Sequence, residues 1–276
     1  MKRVFAVNDI SGIGKCSLTA ALPIISAAGV ECDPIPTAVL STHTGNISGY
    51  TFRDLTSDLD AYAAHWKKIG IKPDTIYSGY LGSEKQIDFV ISLIDGFSGP
   101  ETMITVDPAM ADSGVLYSGF DNSFADKMKL LCSKADIITP NLTEACILTG
   151  NGYTECGGPE FIRNLVLSLA RFPKKYVILT GVSDIKGKTG CCVYDKASGE
   201  ARYFSTGKCD GTYYGTGDIF TSVLTALMTR GEDVFASAEA AVEFTYKAVL
   251  ETYRQCTDPR LGIAFEKYLK DLVPGE

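Results

Sequence analysis

Short apolar segments rich in β-branched residues alternate with longer segments of helical period along most of the chain. The short segments have the length and composition of buried strands, and most of them end at Gly, Pro, Asn or Ser. They predict strands at residues 4–7, 37–40, 75–78, 103–106, 136–138 and 176–179. The longer segments predict helices at residues 18–28, 57–69, 83–94, 121–132 and 159–171. This alternation predicts an α/β fold with a mostly parallel central sheet flanked by helices on both faces.

The last third of the chain departs from this alternation. Residues 190–204 predict two strands around a turn at residues 195–199, which indicates an antiparallel hairpin at one edge of the sheet. A glycine-rich loop follows, and helices are then predicted near residues 217–229, 234–253 and 261–269. Because no repeat, linker or low-complexity segment interrupts the chain, we expect one domain over residues 1–276.

Charge and composition exclude several classes of protein. The formal net charge is −7 and the sequence pI is about 5.0, so we expect no nucleic-acid or membrane partner, since both would require a basic face. No apolar run approaches the roughly 20 residues that cross a bilayer, and we expect a cytoplasmic protein. The nine cysteines include no C-x-x-C pair, which favours reduced thiols over a zinc site or a disulfide scaffold.

The most informative segment for chemistry is the glycine-rich loop before the helix at residues 217–229. Gly215 and Gly217 flank Thr216, and free N–H groups at such a helix start can bind phosphate. Asp218 would repel a phosphate, but it suits a base that takes a proton from an attacking hydroxyl. Alternatively, Asp218 stabilises the helix dipole and the glycines only form a turn. The local residues leave both interpretations open.

Residues 215–218 resemble the anion-hole and catalytic-base motif of the ribokinase-like superfamily. Four further segments resemble, in the same order, motifs of bacterial pyridoxal kinases, and they lie at residues 41–45, 78–83, 107–112 and 139–144. The resemblance covers nearly the whole chain. It implies a three-layer ribokinase-like fold and transfer of the γ-phosphate of ATP to the 5′-hydroxymethyl group of a vitamin B6 compound. It also implies a homodimer.

The resemblance implies a role for specific residues of this chain. Gly215, Thr216 and Gly217 would form the anion hole, with Asp218 as the base. The ATP site would comprise these glycines and Thr216 together with Asp107, Thr139, Asn141, Glu144 and Thr180. Asp107 and Glu144 would hold Mg²⁺, partly through water. A monovalent cation is a further candidate cofactor.

The vitamin ring is expected near the end of the first strand. There the family pattern implies that the substrate contacts Asp9, Ser11, Thr44, Gly45 and Tyr80, together with Asp218. An aromatic side chain at position 80 can stack on a pyridine ring, and hydroxyl and carboxylate groups can bind its nitrogen and 3-hydroxyl group.

Several residues have simpler interpretations or depart from the family pattern. Asp107 could end a strand in an Asp-Pro turn, Glu144 could be a first-turn helix carboxylate, and Thr180 could only terminate a strand. Ala109, Ala111 and Asn46 differ from the residues common in relatives, so the preferred B6 compound stays open. Lys15 and Lys208 are both candidates for an additional positive charge, and residues 207–214, including Cys209, are a candidate lid.

Other functions also remain to be weighed. A kinase for hydroxymethylpyrimidine would act on a similar ring and hydroxymethyl group, and a non-catalytic B6-binding or nucleotide-binding module is a candidate from another class. The segment at residues 12–17 is not a P-loop, because Asp9 and Cys16 replace the required Gly and Ser or Thr.

Overall fold

A computed structural model of the chain describes residues 1–154 and 158–275. Its strands are β1 (Arg3–Ile13), β2 (Glu31–Thr42), β3 (Phe52–Asp54), β4 (Thr75–Ser78), β5 (Met103–Val106), β6 (Ala111–Asp112), β7 (Val115–Leu116), β8 (Ile137–Ile138), β9 (Tyr176–Val182), β10 (Lys188–Asp195) and β11 (Ala201–Gly207). Its α-helices are α1 (Ser17–Ala27), α2 (Thr56–Lys68), α3 (Glu84–Phe97), α4 (Asn122–Lys134), α5 (Leu142–Thr149), α6 (Pro159–Leu169), α7 (Thr216–Arg230) and α8 (Val234–Gln255).

Nine of the strands form one sheet in the order β11-β10-β9-β8-β5-β4-β1-β2-β3. The six strands from β9 to β2 in this order are parallel, whereas β10 and β11 form an antiparallel hairpin at one edge. The predicted ribokinase-like arrangement, a mostly parallel sheet between helical layers with an edge hairpin, is therefore confirmed.

Both faces of the sheet are covered because the strands direct alternate apolar side chains to opposite sides. In β1, Phe5 and Val7 belong to the apolar core that includes residues of α3 to α6. Val4 and Ala6 belong to the core that includes residues of α1, α7 and α8. The two cores give the three layers expected from the alternation of strands and helices.

Three parts of the fold differ from the sequence-based expectation. β1 extends to Ile13 instead of ending at residue 7, because its polar half keeps pairing with β2 after a register shift between Asn8 and Ile10. The short antiparallel strand β3 and the β6–β7 hairpin were not predicted. The predicted helix at residues 261–269 is wrong, since two short 3₁₀ segments, Pro259–Leu261 and Glu266–Leu272, replace it on either side of Gly262 at φ +85°.

The structure also describes the cysteines and the length of the helices. All eight described cysteines are free thiols, and Cys156 lies outside the described residues. Over the described ranges, none of the helices has both the length and the apolar character needed to span a bilayer.

The strand order also determines where ligands can bind. β1 lies between β2, which follows it in the chain, and β4, so the chain changes direction across the sheet at β1. In open α/β sheets, ligands occupy the crevice at the carboxyl ends of the strands next to such a reversal. The ends of β1, β4 and β5 are therefore the expected place for a functional site.

Candidate active site

A cavity of about 440 Å³ opens at the carboxyl ends of the strands. Its walls come from the segments after β5 and β8, from β9 and the edge hairpin of β10 and β11, and from α7 and α8. Every residue that the sequence assigned to the anion hole, the base or the ATP site lines this cavity: Asp107, Thr139, Asn141, Glu144, Thr180, Gly215, Thr216, Gly217 and Asp218.

Gly215 determines how α7 enters the cavity. It is the N-cap residue of α7 with φ of 81°, in the left-handed region that side chains disfavour. A Cβ atom there would also lie 2.7 Å from the carbonyl oxygen of Lys15. Glycine is therefore required at position 215, and α7 begins with free N–H groups directed toward the cavity.

Asp218 lies in the first turn of α7 and is partly buried at the cavity wall. Burial raises the pKa of Asp218 to about 6, and the charge of Asp9 acts in the same direction. The Ser17 backbone N–H and the Asn8 side chain lower the pKa and keep it from rising further. A carboxylate with this pKa is ionised at neutral pH and can still accept a proton effectively.

Asp107 follows β5 and is 7% exposed. Its Oδ2 atom accepts a hydrogen bond of 3.3 Å from the Thr221 hydroxyl, which lies 3.0 Å from the Thr139 hydroxyl. Burial and the negative charge of Asp218 raise the pKa of Asp107. These hydroxyls therefore connect α7 to the ends of β5 and β8 at the cavity floor.

Glu144 lines the cavity and also caps the start of α5. It is 2% exposed and accepts backbone N–H bonds from Asn141 at 2.8 Å and from Met110 at 3.1 Å. The Asn141 side chain in turn accepts the Glu144 N–H at 3.0 Å, which completes a capping box at the start of α5. The helix-start interpretation of Glu144 is therefore correct, and it does not remove the carboxylate from the cavity.

The two buried carboxylates form a donor set that suits Mg²⁺. Burial and the charge of Asp107 both raise the pKa of Glu144 well above its ordinary value. Within the described part of the chain, neither carboxylate has a basic side chain as a salt-bridge partner. That part also holds no cluster of three His, Cys, Asp or Glu side chains arranged to bind a metal directly. Mg²⁺ usually binds one or two carboxylates and keeps several waters, so these residues fit it through partly water-mediated contacts.

The candidate lid and the candidate lysines are now placed. Residues 207–209, 211, 213 and 214 all line the cavity, and they include Lys208 and Cys209. Lys15 instead forms a salt bridge of 2.7 Å with Glu266 and is absent from the cavity wall. Of the two lysines, Lys208 is therefore the one that can add positive charge to the cavity.

Of the residues predicted to contact the substrate, Asp218 lines this cavity, whereas Asp9, Ser11, Thr44, Gly45 and Tyr80 do not. Asp9 is 4% exposed, and its carboxylate accepts hydrogen bonds from the hydroxyls of Ser11 at 3.0 Å and Ser17 at 2.5 Å. Burial raises the pKa of Asp9, while both hydroxyls lower it. Ser11 is fully buried. Asp9 and Ser11 are thus buried and joined to each other by a hydrogen bond.

The loop that carries Thr44 and Gly45 is tied to the candidate lid. His43 Nδ1 accepts the Gly45 N–H at 3.0 Å, and its Nε2 donates to the Arg260 carbonyl oxygen at 2.5 Å. The His43 ring also stacks on Tyr214, with centroids 5.2 Å apart. Asn46 donates to the Tyr214 hydroxyl at 2.5 Å. This loop therefore contacts the residue directly before the anion-hole turn.

Tyr80 follows β4 and carries a half-buried ring at the reversal of strand order. Its ring stacks on Phe120, with centroids 5.8 Å apart and an angle of 27° between the planes. Phe120 stacks in turn on Phe124 at 3.8 Å. Tyr80 is thus one end of an aromatic stack that could extend to a bound ring.

Several wall residues were not singled out in the sequence. Tyr117 follows β7, and Tyr213 lies in the candidate lid. Val242, Tyr246 and Val249 come from α8, where their helical spacing is the same as that of core residues. Only the fold distinguishes these α8 positions from the core, whereas an aromatic residue soon after residues 107–112 was a weak signal for Tyr117.

A family model described as phosphomethylpyrimidine kinase matches residues 18–258 of the chain. The hydroxymethylpyrimidine/phosphomethylpyrimidine kinase of Bacillus subtilis strain 168 is 27% identical over 225 residues, which cover 78% of this chain and 77% of that protein.

Solved structures resemble the fold over its full length. A candidate phosphomethylpyrimidine kinase from Bacteroides thetaiotaomicron VPI-5482, in a crystal form with pyridoxal, is 37% identical with a TM-score of 0.93 and covers 98% of this chain and 95% of its own. The pyridoxal kinase from Lactobacillus plantarum is 30% identical with a TM-score of 0.91, and the match covers 99% of this chain and 96% of that one.

Proposed function

The chain belongs to the phosphomethylpyrimidine kinase family, and we propose that it phosphorylates the 5′-hydroxymethyl group of pyridoxal, pyridoxine or pyridoxamine with ATP as donor. Its relatives confirm the resemblance to ribokinase-like pyridoxal kinases that the sequence motifs carry. The observation that carries the choice of acceptor is the pyridoxal in the crystal form of the Bacteroides relative, which is 37% identical to this chain.

The transfer would take place at the phosphate end of the site, which we define as residues 215–218 with Asp107 and Glu144. Asp218 would take the proton of the acceptor hydroxyl as its oxygen forms a bond to the γ-phosphorus. The bond from the γ-phosphorus to the β,γ-bridging oxygen then breaks, and ADP leaves. The free N–H groups of the turn at Gly215 would donate to the phosphate oxygens, which carry the negative charge.

The nucleotide would be held by the rest of the cavity. Thr139, Asn141 and Thr180 lie at its wall beside Lys208, whose ammonium group can offset phosphate charge. Asp107 and Glu144 would hold Mg²⁺, which supplies charge neutralisation for the phosphates when bound. Burial and neighbouring negative charge raise the pKa of both carboxyl groups, and a bound cation would favour their ionised form, so the cavity would favour a nucleotide that arrives with its cation.

The ring end of the site comprises Asp9, Ser11, Thr44, Gly45 and Tyr80. Tyr80 would stack on the pyridine ring and extend the stack that it forms with Phe120. Ser11 would act through its hydrogen bond to Asp9, because its side chain is fully buried. Thr44 and Gly45 would close over the ring from the loop that contacts Tyr214.

Two other functions are distinguished from this one by specific features. A hydroxymethylpyrimidine kinase is supported by the Bacillus subtilis relative, and its acceptor would use the same base and the same phosphate end. A non-catalytic module that binds a B6 compound or a nucleotide would have no use for Asp218, since a carboxylate beside a phosphate weakens binding by charge repulsion.

The test is ATP-dependent phosphorylation of pyridoxal, pyridoxine, pyridoxamine and hydroxymethylpyrimidine by the wild-type protein and by Asp218→Asn. We expect turnover of B6 compounds, with kcat lower by about 10² to 10⁴-fold in the variant and ATP binding retained. Asp126→Asn, which changes an exposed carboxylate on α4, should behave as wild type. Higher kcat/KM on hydroxymethylpyrimidine would select the other kinase, and no turnover of any acceptor would select the binding module.

A further inference from the structure

The side chain of Asn8 is held at only one end. It is 1% exposed, and its Oδ1 atom accepts the backbone N–H of Asp9 at 3.0 Å. Its Nδ2 atom is buried and has no hydrogen-bond partner of ordinary geometry within the described residues. A buried donor without a partner costs about 1 to 3 kcal/mol, so its retention requires a reason.

The register shift in β1 explains how Asn8 is oriented. β1 pairs with β2 in register up to Asn8 and resumes with a shifted register at Ile10, so the N–H of Asp9 falls between the two parts of the ladder. Asn8 Oδ1 accepts this N–H, which fixes the side-chain amide and the direction of Nδ2. Such bulges commonly re-aim side chains beside active sites.

Gly79, directly after β4, provides the space for this amide. A Cβ atom at position 79 would lie 2.2 Å from Asn8 Nδ2 and 2.8 Å from Asn8 Cγ. Gly79 is not among the residues with positive φ, so its backbone conformation does not require glycine. The close approach of Asn8 is therefore the reason for glycine at this position.

Asn8 and Ser17 belong to segments that meet at the start of α7. A Cβ atom at Gly215 would lie 2.7 Å from the Lys15 carbonyl oxygen and 3.4 Å from Cys16 Cβ, and the Ser17 hydroxyl donates to Asp9, the neighbour of Asn8, at 2.5 Å. Asn8 and Ser17 each lower the pKa of Asp218, Ser17 through its backbone N–H and Asn8 through its side chain. Ser17 has φ of 53° and Lys15 has φ of 50°, two left-handed conformations that are costly for residues other than glycine. The strained segment of residues 14–17 thus presents the Ser17 N–H to Asp218 and the Ser17 hydroxyl to Asp9.

We propose that Asn8 and Ser17 are positioning residues for Asp218: the free Nδ2 group of Asn8 and the Ser17 N–H would donate to its carboxylate when it is directed toward the acceptor hydroxyl. This inference rests on the proposed function, in which Asp218 is the base. The positioning role explains three observations together: the unpaired amide of Asn8, the glycine at position 79 and the strained segment of residues 14–17. Neither Asn8 nor Ser17 lines the cavity that would hold the nucleotide, so we expect them to affect kcat and not the KM for ATP.

The first experiment displaces the amide without changing any polar group. In Gly79→Ala the new methyl group meets Asn8 Nδ2, so we expect kcat to fall about 10 to 100-fold while both KM values stay within about twofold. The matched control is Gly82→Ala in the same loop, where the nearest atom to a new Cβ lies 3.6 Å away. Thermal unfolding of each variant is measured in parallel.

A double-mutant cycle tests whether Gly79 acts through Asn8. Asn8→Ala should itself lower kcat about 10 to 100-fold, because the base loses one of its two donors. In the Asn8→Ala background the clash no longer exists, so Gly79→Ala should have almost no additional effect on kcat. If the two effects multiply instead, Gly79 does not act through Asn8 and the proposal is wrong.

A second pair of variants tests the Ser17 N–H by a substitution at a residue that contacts its segment. A Cβ atom at Gly262 would lie 2.0 Å from the Gly14 carbonyl oxygen, so Gly262→Ala should displace the strained segment and lower kcat about tenfold. Gly231→Ala is the control, because Gly231 also has positive φ, at 103°, and none of the described residues has an atom within 4 Å of the new Cβ. It should cost stability but leave kcat unchanged.

The outcomes separate this inference from the proposed function. If Asp218→Asn keeps full activity, the proposed function fails. If Asp218→Asn is inactive while folded Gly79→Ala and Gly262→Ala match their controls in kcat, only the positioning role fails. Should Asn8→Ala not fold, the two glycine pairs decide the question. A rise in KM with unchanged kcat would also overturn the proposal, since it would indicate a role in binding.

Discussion

At the phosphate end of the site the polar groups face a common cavity, whereas at the ring end most of them face one another. Asp107, Glu144 and Asp218 all line the cavity. Asp9 and Ser11 are buried and joined by a hydrogen bond. Gly45 and Asn46 are occupied by contacts with His43 and Tyr214.

In the proposed reaction, this difference follows from what each end would bind. A phosphate carries charge that free N–H groups and a cation can balance, so unpaired groups at the phosphate end have a partner when the nucleotide arrives. A pyridine ring offers a flat apolar surface and few polar atoms. Its site can therefore be formed by aromatic surfaces and by polar groups whose positions are fixed in advance.

The largest predicted effect is at the phosphate end. Gly215→Ala would force a side chain into the left-handed region and against the Lys15 carbonyl oxygen, so the turn that begins α7 must shift. We expect kcat/KM to fall at least about 100-fold, because displacement of phosphate donors by even 1 Å has effects of that size. The measurement is ADP release in a coupled assay.

Gly187→Ala is the control for Gly215→Ala. Gly187 also has positive φ, at 78°, but a new Cβ there would have no atom within 4 Å in the part of the chain that the structure describes. If both variants lose the same activity, the backbone strain and not the anion-hole turn is responsible, and the contrast between the two ends disappears.

The phosphate end was the easier part to predict from the sequence because its residues are close together in the chain. Residues 215–218 form one turn, and residues 139–144 include both the strand end and the capping box of α5. Local backbone chemistry indicates a phosphate-binding turn in the first of these motifs, but the choice of Asp218 as a base came only from the resemblance to a known family. The periodicity of apolar residues also predicted most helices and the mostly parallel sheet between two helical layers.

The ring end was harder to predict because its geometry depends on pairing between distant segments. The polar half of β1 has no apolar alternation, so nothing in its sequence indicates that the strand continues through Asn8 to Ile13. The contact of Asn46 with Tyr214 joins residues 168 positions apart. Contacts of this kind are consequences of the fold and have no local signature.

The pH dependence of the reaction should follow the base at the phosphate end. Asp218 has a pKa of about 6 and must be ionised to accept a proton. We therefore expect kcat/KM to be constant above this pH and to fall about tenfold per unit below it. The profile is measured with saturating ATP and Mg²⁺.

Comparing two acceptors distinguishes ionisation of the enzyme from ionisation of the substrate in this experiment. If the acidic limb belongs to Asp218, pyridoxal and pyridoxine must give the same midpoint, whereas a limb due to substrate ionisation would differ between them. An activity that stays constant down to pH values well below the pKa of Asp218 would contradict its role as the base.

A smaller effect is expected from the aromatic surface at the ring end. Tyr80→Leu removes a ring that stacks on Phe120, and we expect the KM for pyridoxal to rise about fivefold, in line with the contribution of one aromatic pair. The kcat value and the KM for ATP should hardly change. Tyr62→Leu is the control, since Tyr62 is also partly exposed and packs against Trp66 at 5.3 Å. A fall in kcat without a change in KM would assign Tyr80 to the phosphate end instead.

The smallest predicted effect concerns the contact that joins the two ends. Asn46 donates to the Tyr214 hydroxyl, and Tyr214 directly precedes the turn at Gly215. A neutral hydrogen bond contributes about 0.5 to 1.5 kcal/mol, and this one is exposed and belongs at the low end, so Asn46→Ala should raise the KM for the acceptor about two- to threefold. Tyr214→Phe removes the same bond from the other side while keeping the stack on His43, and it should have a similar effect.

The double variant decides whether this bond couples the ends or whether each residue acts separately. If the bond is the common cause, Asn46→Ala combined with Tyr214→Phe should be no worse than either change alone. Multiplying effects would mean that Asn46 binds the acceptor independently of Tyr214. In that case the loop at residues 43–46 would belong only to the ring end, and the two ends would be aligned by the sheet and not by a direct contact.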